Sequence, residues 1–207
     1  MGKLKEGLHG NTSGTTGNIV TYVVGGKTFT RTKAAGPHKF TENQRANHSG
    51  FKIKQDWINQ ISEFLKVGYR NDIPFVGGPA LAMKYLSANA VSGKGKEMQV
   101  HPELMLVSMG DLPGAPDASA IADGLGVSFS WDPKVTFPAS SFDQPLLLAY
   151  DVDNKKTDYV VKGHFRKDGS ARLPISEAGN YHCYLGFLAE DHSQQSNSQY
   201  LGVIQIL

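Results

Sequence analysis

From about Glu103 onward, apolar residues stop recurring at helical steps and gather into short runs. These are Leu104 to Val107, Val127 to Trp131, Leu146 to Tyr150, Tyr159 to Phe165, Ala171 to Leu173, Tyr181 to Ala189 and Tyr200 to Ile206. Clusters of Gly, Pro, Asp and Ser separate them, with no helical repeat between. Seven short strands in about 100 residues can close their apolar faces only on one another, which predicts a Greek-key β-sandwich.

The first half has a different grammar. Gly10, Gly14 and Gly17, interleaved with Asn and Thr, suggest a flexible or tightly turning segment in which regular structure loses too much backbone entropy. Asn18 to Val24 is β-branched and aromatic, and Gly25-Gly26 can supply a two-residue turn before Lys27 to Lys33 returns, so a β-hairpin is expected. Thr41 stands three residues before Gln44, a capping-box spacing that opens a helix from about Glu42 to Val67. Its apolar stripe is Ala46, Ile53, Trp57, Ile61, Phe64 and Leu65, with Phe51 and Ile58 flanking and Gly50 as a weak point. After Gly68, Pro74 and Gly77-Gly78, a shorter helix is expected over Pro79 to Asn89, and Ser92 to Lys96 is an exposed turn. The fold class expected is α+β, with the hairpin and helical region over residues 1–100 and the sandwich over 101–207.

Two resemblances add to this. Glu177-Ala178-Gly179-Asn180-Tyr181-His182-Cys183 resembles the tyrosine corner of immunoglobulin-like domains, where a Tyr two residues before the Cys position anchors a turn. With one cysteine, and with Trp131, Tyr150 and Leu173 upstream, the C-terminal half is more similar to the fibronectin type III version, which uses no disulfide. Nearly the whole chain also resembles a Bacteroidota family described only as a domain of unknown function. The residues carrying that likeness are Gly10, Ser13-Gly14, Gly17, Val20, Arg31, Thr41, Gln44, Ser108, Gly110, Leu112, Trp131 and Ser198 to Gly202. The family pattern continues from the cap with Arg and Phe, for which this chain offers Arg45 and Phe51 at a different spacing. The resemblance implies an architecture and no activity.

Composition narrows the function classes. Hydrophobic residues make up 40% and charged residues 19%, enough for a packed core. No apolar run approaches about 18 residues and no Sec signal is visible, so no membrane span is expected. Synthesis in the cytoplasm is expected, with incorporation into a particle or export by a non-Sec route. Cys183 is the only cysteine, which excludes an internal disulfide framework and fits a reducing compartment. Residues 1–100 carry 14 Lys and Arg against 6 Asp and Glu, net +8, leaving 7 against 13, net −6, for the rest. Such polarity can steer head-to-tail contacts between copies or draw nucleic acid to the basic half.

No catalytic constellation is expected. His182 and Cys183 are adjacent, but strand alternation turns Tyr181, Cys183, Leu185 and Phe187 inward and His182 and Tyr184 outward. There is no Gly-x-Ser-x-Gly elbow, and the seven histidines do not form a metal-ligand spacing. Asp151, Asp153 and Asn154 could hold Ca²⁺ through oxygen, but a β-turn explains the same residues. Gly93-Lys94-Gly95-Lys96 lacks phosphate-loop spacing, and Gly10 to Gly17 leads into a strand, unlike a dinucleotide fingerprint. The expectation is therefore a non-enzymatic protein without cofactor or metal.

The first reading is a structural or assembly protein, a subunit of a bacterial or prophage-derived particle. Its N-terminal arm, with Val20, Tyr22, Phe29 and Arg31, would contact another copy or another subunit. The alternative is a glycan- or protein-binding module acting through loops 132–143 and 190–197, with Phe137, Phe142 and His192 as contact residues. Nucleic-acid association through Lys27, Arg31 and Lys33 ranks behind these, because charges that guard an exposed strand edge look the same.

Overall fold

The computed structural model describes residues 3–4, 12–36, 39–70 and 76–207. Two compact units result, one ending at Thr41 and the other running from Glu42 to Leu207.

The first unit is an antiparallel sheet of β1 (Lys3–Leu4), β2 (Thr12–Thr16), β3 (Ile19–Val24) and β4 (Lys27–Thr32), paired in that order. The expected hairpin is present. Gly25 and Gly26 take φ of 56° and 75°, the left-handed pair that a twisted two-residue connection requires, and Val24 pairs with Lys27. The Gly-rich segment before it differs from expectation, since Thr12 to Thr16 is a strand rather than an irregular lead-in. Its β-branched threonines pair with β3, and Gly17 at φ 58° closes a second tight turn. Gly10 and Asn11 lie outside the described residues.

The second unit opens with α1 (Glu42–Gln60), α2 (Ser62–Gly68) and α3 (Gly78–Asn89). The single helix expected to Val67 is interrupted at Ile61, whose ψ of 15° leaves the helical region. The apolar stripe continues across the break, and Ile58, Ile61, Phe64 and Leu65 are all buried. Gly50 lies inside α1 and faces the Gly95 to Met98 turn, where a methyl group would come within 2.7 Å of the end of the flexible Met98 side chain. That turn joins two short strands, β5 (Val91–Ser92) and β6 (Gln99–Val100).

Two further antiparallel sheets follow. One has the order β11-β8-β7, from β7 (Ser119–Ala122), β8 (Gly126–Ser130) and β11 (Ser170–Pro174). The other has the order β10-β9-β12-β13, from β9 (Gln144–Asp151), β10 (Lys156–Val160), β12 (Gly179–Leu188) and β13 (Gln199–Ile206). Two expected strands are displaced. Leu104 to Val107 is not a strand, because Pro102–Leu104 forms a 3₁₀ turn. The strand expected over Tyr159 to Phe165 is β10 instead, which runs from Lys156 and ends at Val160, before the positive-φ Gly163. Of the strands in these two sheets, the one missing from the sequence reading is β7, a short Ser-Ala-Ile-Ala segment with no large buried side chain.

The core explains the chain's apolar grammar. Val127, Phe129, Leu147, Ala149, Leu173, Tyr181, Cys183 and Phe187 fill the space between the two sheets. On the other face of the four-stranded sheet, Leu146, Leu148, Tyr150, Tyr184 and Leu188 pack with Trp57, Ile58, Phe64, Leu65 and Leu86 of the helices. Three layers thus share a central sheet covered on both sides, and the fold is α+β. Two-sided cover is why β9 reads as the unbroken run Leu146 to Tyr150. It also corrects the expectation for Tyr184, which turns away from the sheet-sheet core as anticipated but is buried under helices rather than facing water. The division expected near residue 100 falls inside this unit, where helices and sheet form one core.

Candidate functional site

The pairing register brings the four arm residues together. Val20 lies opposite Arg31 and Tyr22 opposite Phe29, so all four occupy one face of the β3–β4 hairpin, with the Tyr22 and Phe29 rings stacked at 5.9 Å. The opposite face carries Ile19 and Val23 beside threonines. Ile19, Tyr22, Val23, Val24 and Phe29 are all exposed, and among the described residues up to Thr41 none is buried. Among the described residues, this sheet has apolar side chains on both faces and none that is buried.

The three loop residues are held apart. Phe137 projects into solvent at 93% exposure. Phe142 sits edge-on to Phe165 at 5.9 Å, with Lys167 Nζ 4.4 Å above its ring. His192 has φ of 59°, and lines a separate concavity with Lys66, Arg70, Gln144 and Lys162. The two loops do meet: Pro138, Ser140, Glu190, Asp191, Ser193 and Gln194 help line a concavity of about 560 Å³ between them.

A family model described as a family of unknown function, DUF6266, matches residues 11–202. The chain belongs to that family. No curated protein matches it, and no solved structure does. Several residues behind the DUF6266 likeness tie remote parts of the chain together. Ser108 Oγ donates to the Ser196 carbonyl at 2.9 Å, and Ser198 Oγ accepts from the Val107 amide at 2.8 Å. A methyl group on Gly110 would collide with the Gln195 carbonyl, and the Trp131 indole donates to the Arg166 carbonyl at 2.8 Å. Tyr181 donates its hydroxyl to the Glu177 carbonyl at 2.9 Å.

Arg166 is a polar centre that the sequence did not disclose. Its side chain is 1% exposed, its Nε lies 3.3 Å from Asp143 Oδ2, and its Nη1 and Nη2 donate to the carbonyls of Gly114 and Pro113 at 3.0 and 2.7 Å. The guanidinium covers the Phe187 ring at 3.8 Å. Burial works against its charge and the Asp143 carboxylate counters that. Within a stretch as polar as His164 to Ser170, nothing in the sequence distinguishes a buried arginine from a turn residue.

Two other groupings have chemical interest. Ser92 Oγ lies 2.7 Å from His101 Nε2, and His101 Nδ1 lies 3.3 Å from Glu103 Oε1, the order of atoms in a nucleophile, base and orienting carboxylate. His101 and Glu103 are 33% and 52% exposed, so this grouping lies at the protein surface. The carboxylate of Asp151 is pushed up by burial but pulled down more by hydrogen bonds from Asn154 and Asn180, for a net lowering. The Asn154 contacts are the turn's own, as a β-turn reading requires, whereas the Asn180 amide reaches the carboxylate from β12.

Cys183 and His182 diverge as strand alternation dictates. The thiol is buried between the sheets, and burial pushes it up to about 12. His182 is lowered by burial and hydrogen-bonds Tyr200 through Nδ1 at 2.9 Å. Native protein is therefore expected to react with a thiol-specific reagent at pH 8 only as fast as it unfolds, and with one equivalent after denaturation. Prompt labelling of the native state would show that the thiol is accessible after all.

Proposed function

We propose that this DUF6266 protein is a non-enzymatic assembly protein, a subunit of a larger bacterial or prophage-derived particle whose N-terminal sheet binds the next copy. One observation carries the reading: a four-stranded sheet exposes apolar side chains on both faces, with no buried residue among those described. Such a sheet gains stability by covering a face. Charge favours a second copy as the cover. The unit up to Thr41 holds six Lys and Arg against Glu6, net +5, leaving fifteen against eighteen, net −3, for the unit from Glu42. Strand β4 lies at the end of its sheet order, an edge able to add to a neighbour's sheet.

The body would be an immunoglobulin-like sandwich of fibronectin type III character. Its first, second and fifth strands share one sheet, and its third, fourth, sixth and seventh share the other. This differs from the constant immunoglobulin arrangement only in where the fourth strand pairs. The Tyr181 corner and the single buried cysteine support the same reading. No described helix is long and apolar enough to cross a membrane. Under the Bacteroidota resemblance, the protein is made in a bacterial cytoplasm before incorporation.

Tyr22→Lys with Phe29→Lys is expected to weaken self-association by about 30-fold or more, the loss typical of removing a central aromatic contact. Thermal unfolding of the Glu42–Leu207 unit should not change. Analytical ultracentrifugation checks this, and unaltered association of the double variant would contradict it. A second reading, glycan binding, is favoured by the hydroxyl- and carboxylate-lined concavity where the two loops meet. Nucleic-acid binding by the basic first unit stands behind both.

A further inference from the structure

We propose that the concavity between the end of α2, the end of β10 and the loop after β12 is a binding site for a small ligand carrying a carboxylate or phosphate on a short apolar stem. Its cations are Lys66, Arg70, Lys162 and His192 when protonated, and its floor is Val67, Val161 and Leu188. No carboxylate lines it, and its volume of about 370 Å³ suits a ligand of few heavy atoms. Lys66 is paired with Glu63 at 2.5 Å, whereas among the described residues neither Arg70 nor Lys162 has an ion pair. Basic side chains beside apolar Val67, Val161 and Leu188 match an anion with a non-polar tail better than a neutral or cationic molecule.

The four basic side chains are exposed, and the backbone beneath two of them is held by hydrogen bonds. Arg70 is anchored by its carbonyl, which accepts a hydrogen bond from the buried Gln195 amide, itself also bonded to the Met109 carbonyl at 3.2 Å. His192 is presented by a tight turn: its amide donates to Ala189 at 2.8 Å, and the Asp191 carboxylate accepts from the Ser193 amide and hydroxyl at 2.9 and 2.6 Å. The left-handed conformation of His192 is uncommon for a residue with a side chain. Around it, Glu190, Asp191 and Ser193 line the other concavity while His192 lines this one, so one short loop separates an acidic hollow from a basic one.

The test is calorimetric titration of the full chain with hexyl phosphate, hexanoate, inorganic phosphate and hexanol. Saturable binding of hexyl phosphate or hexanoate is expected, weaker for inorganic phosphate and absent for hexanol, and weakened by added salt. The tighter of the two head groups identifies the ligand class. Arg70→Gln with Lys162→Gln should weaken binding at least about tenfold, as loss of two charge-assisted contacts implies. His192→Gly, which suits the left-handed turn, should weaken it while thermal unfolding stays the same. Absence of saturable binding, equal binding of hexanol, or full affinity in the Arg70 and Lys162 double variant would overturn the proposal.

Discussion

Replacing Arg166 with methionine is expected to destabilise the Glu42–Leu207 unit by about 3–5 kcal/mol, the cost of breaking a buried ion pair and stranding its partner. Asp143 would keep a buried carboxylate facing no cation, and the carbonyls of Pro113 and Gly114 would lose their donors. Methionine retains stem volume over Phe187, so the loss is electrostatic and hydrogen-bonded more than steric. The double variant Arg166→Met with Asp143→Leu should recover a large part of the deficit, because no charge then remains buried. Urea unfolding gives both numbers, and an unchanged m-value would show that the native state is intact. A loss below about 1 kcal/mol for the single variant would mean that water reaches the pair, against the buried geometry.

The second large effect concerns the helices. A fragment comprising residues 101–207 is expected not to fold as a monomer, although it contains every strand from β7 to β13. Without the helices, Leu146, Leu148, Tyr150, Tyr184 and Leu188 lie bare on one face of the central sheet. At roughly 1.5–3 kcal/mol for each large apolar side chain, the lost burial is comparable to the whole stability of a domain. A chain of residues 42–207 should instead unfold in one cooperative transition. Circular dichroism and size-exclusion chromatography distinguish these outcomes. A soluble, cooperatively folding 101–207 fragment would show that the sandwich stands alone and that the helices are an addition.

The parts of this fold that could be read from sequence are those with a local cause. Gly25-Gly26 between β-branched runs specifies its hairpin because only glycine is at ease at two successive positive φ values. Thr41, the Trp57 to Leu65 stripe and Pro79 signal helices through capping and periodicity, and β8, β9, β12 and β13 through apolar runs. The unread parts depend on remote contacts. Strand β7 exists because Ser119 to Ala122 pairs with β8, not because of its own residues. Tyr184 is buried because helices cover the central sheet, a fact that the unbroken Leu146 to Tyr150 run could have signalled. At the candidate sites, ladder register gathers Val20, Tyr22, Phe29 and Arg31 and was legible once the turn was placed. Arg70, Lys162 and His192 come from three separate elements, and only the assembled fold joins them.

The measurement closest to the central claim is size-exclusion chromatography with light scattering on the full chain and on a chain starting at Glu42, over a series of salt concentrations. If the first unit covers its apolar sheet with a neighbouring copy, the full chain forms oligomers that weaken as salt screens the +5 and −3 units, and the shortened chain is a monomer. Monomers of both chains at every salt and at high protein concentration would contradict arm-mediated assembly.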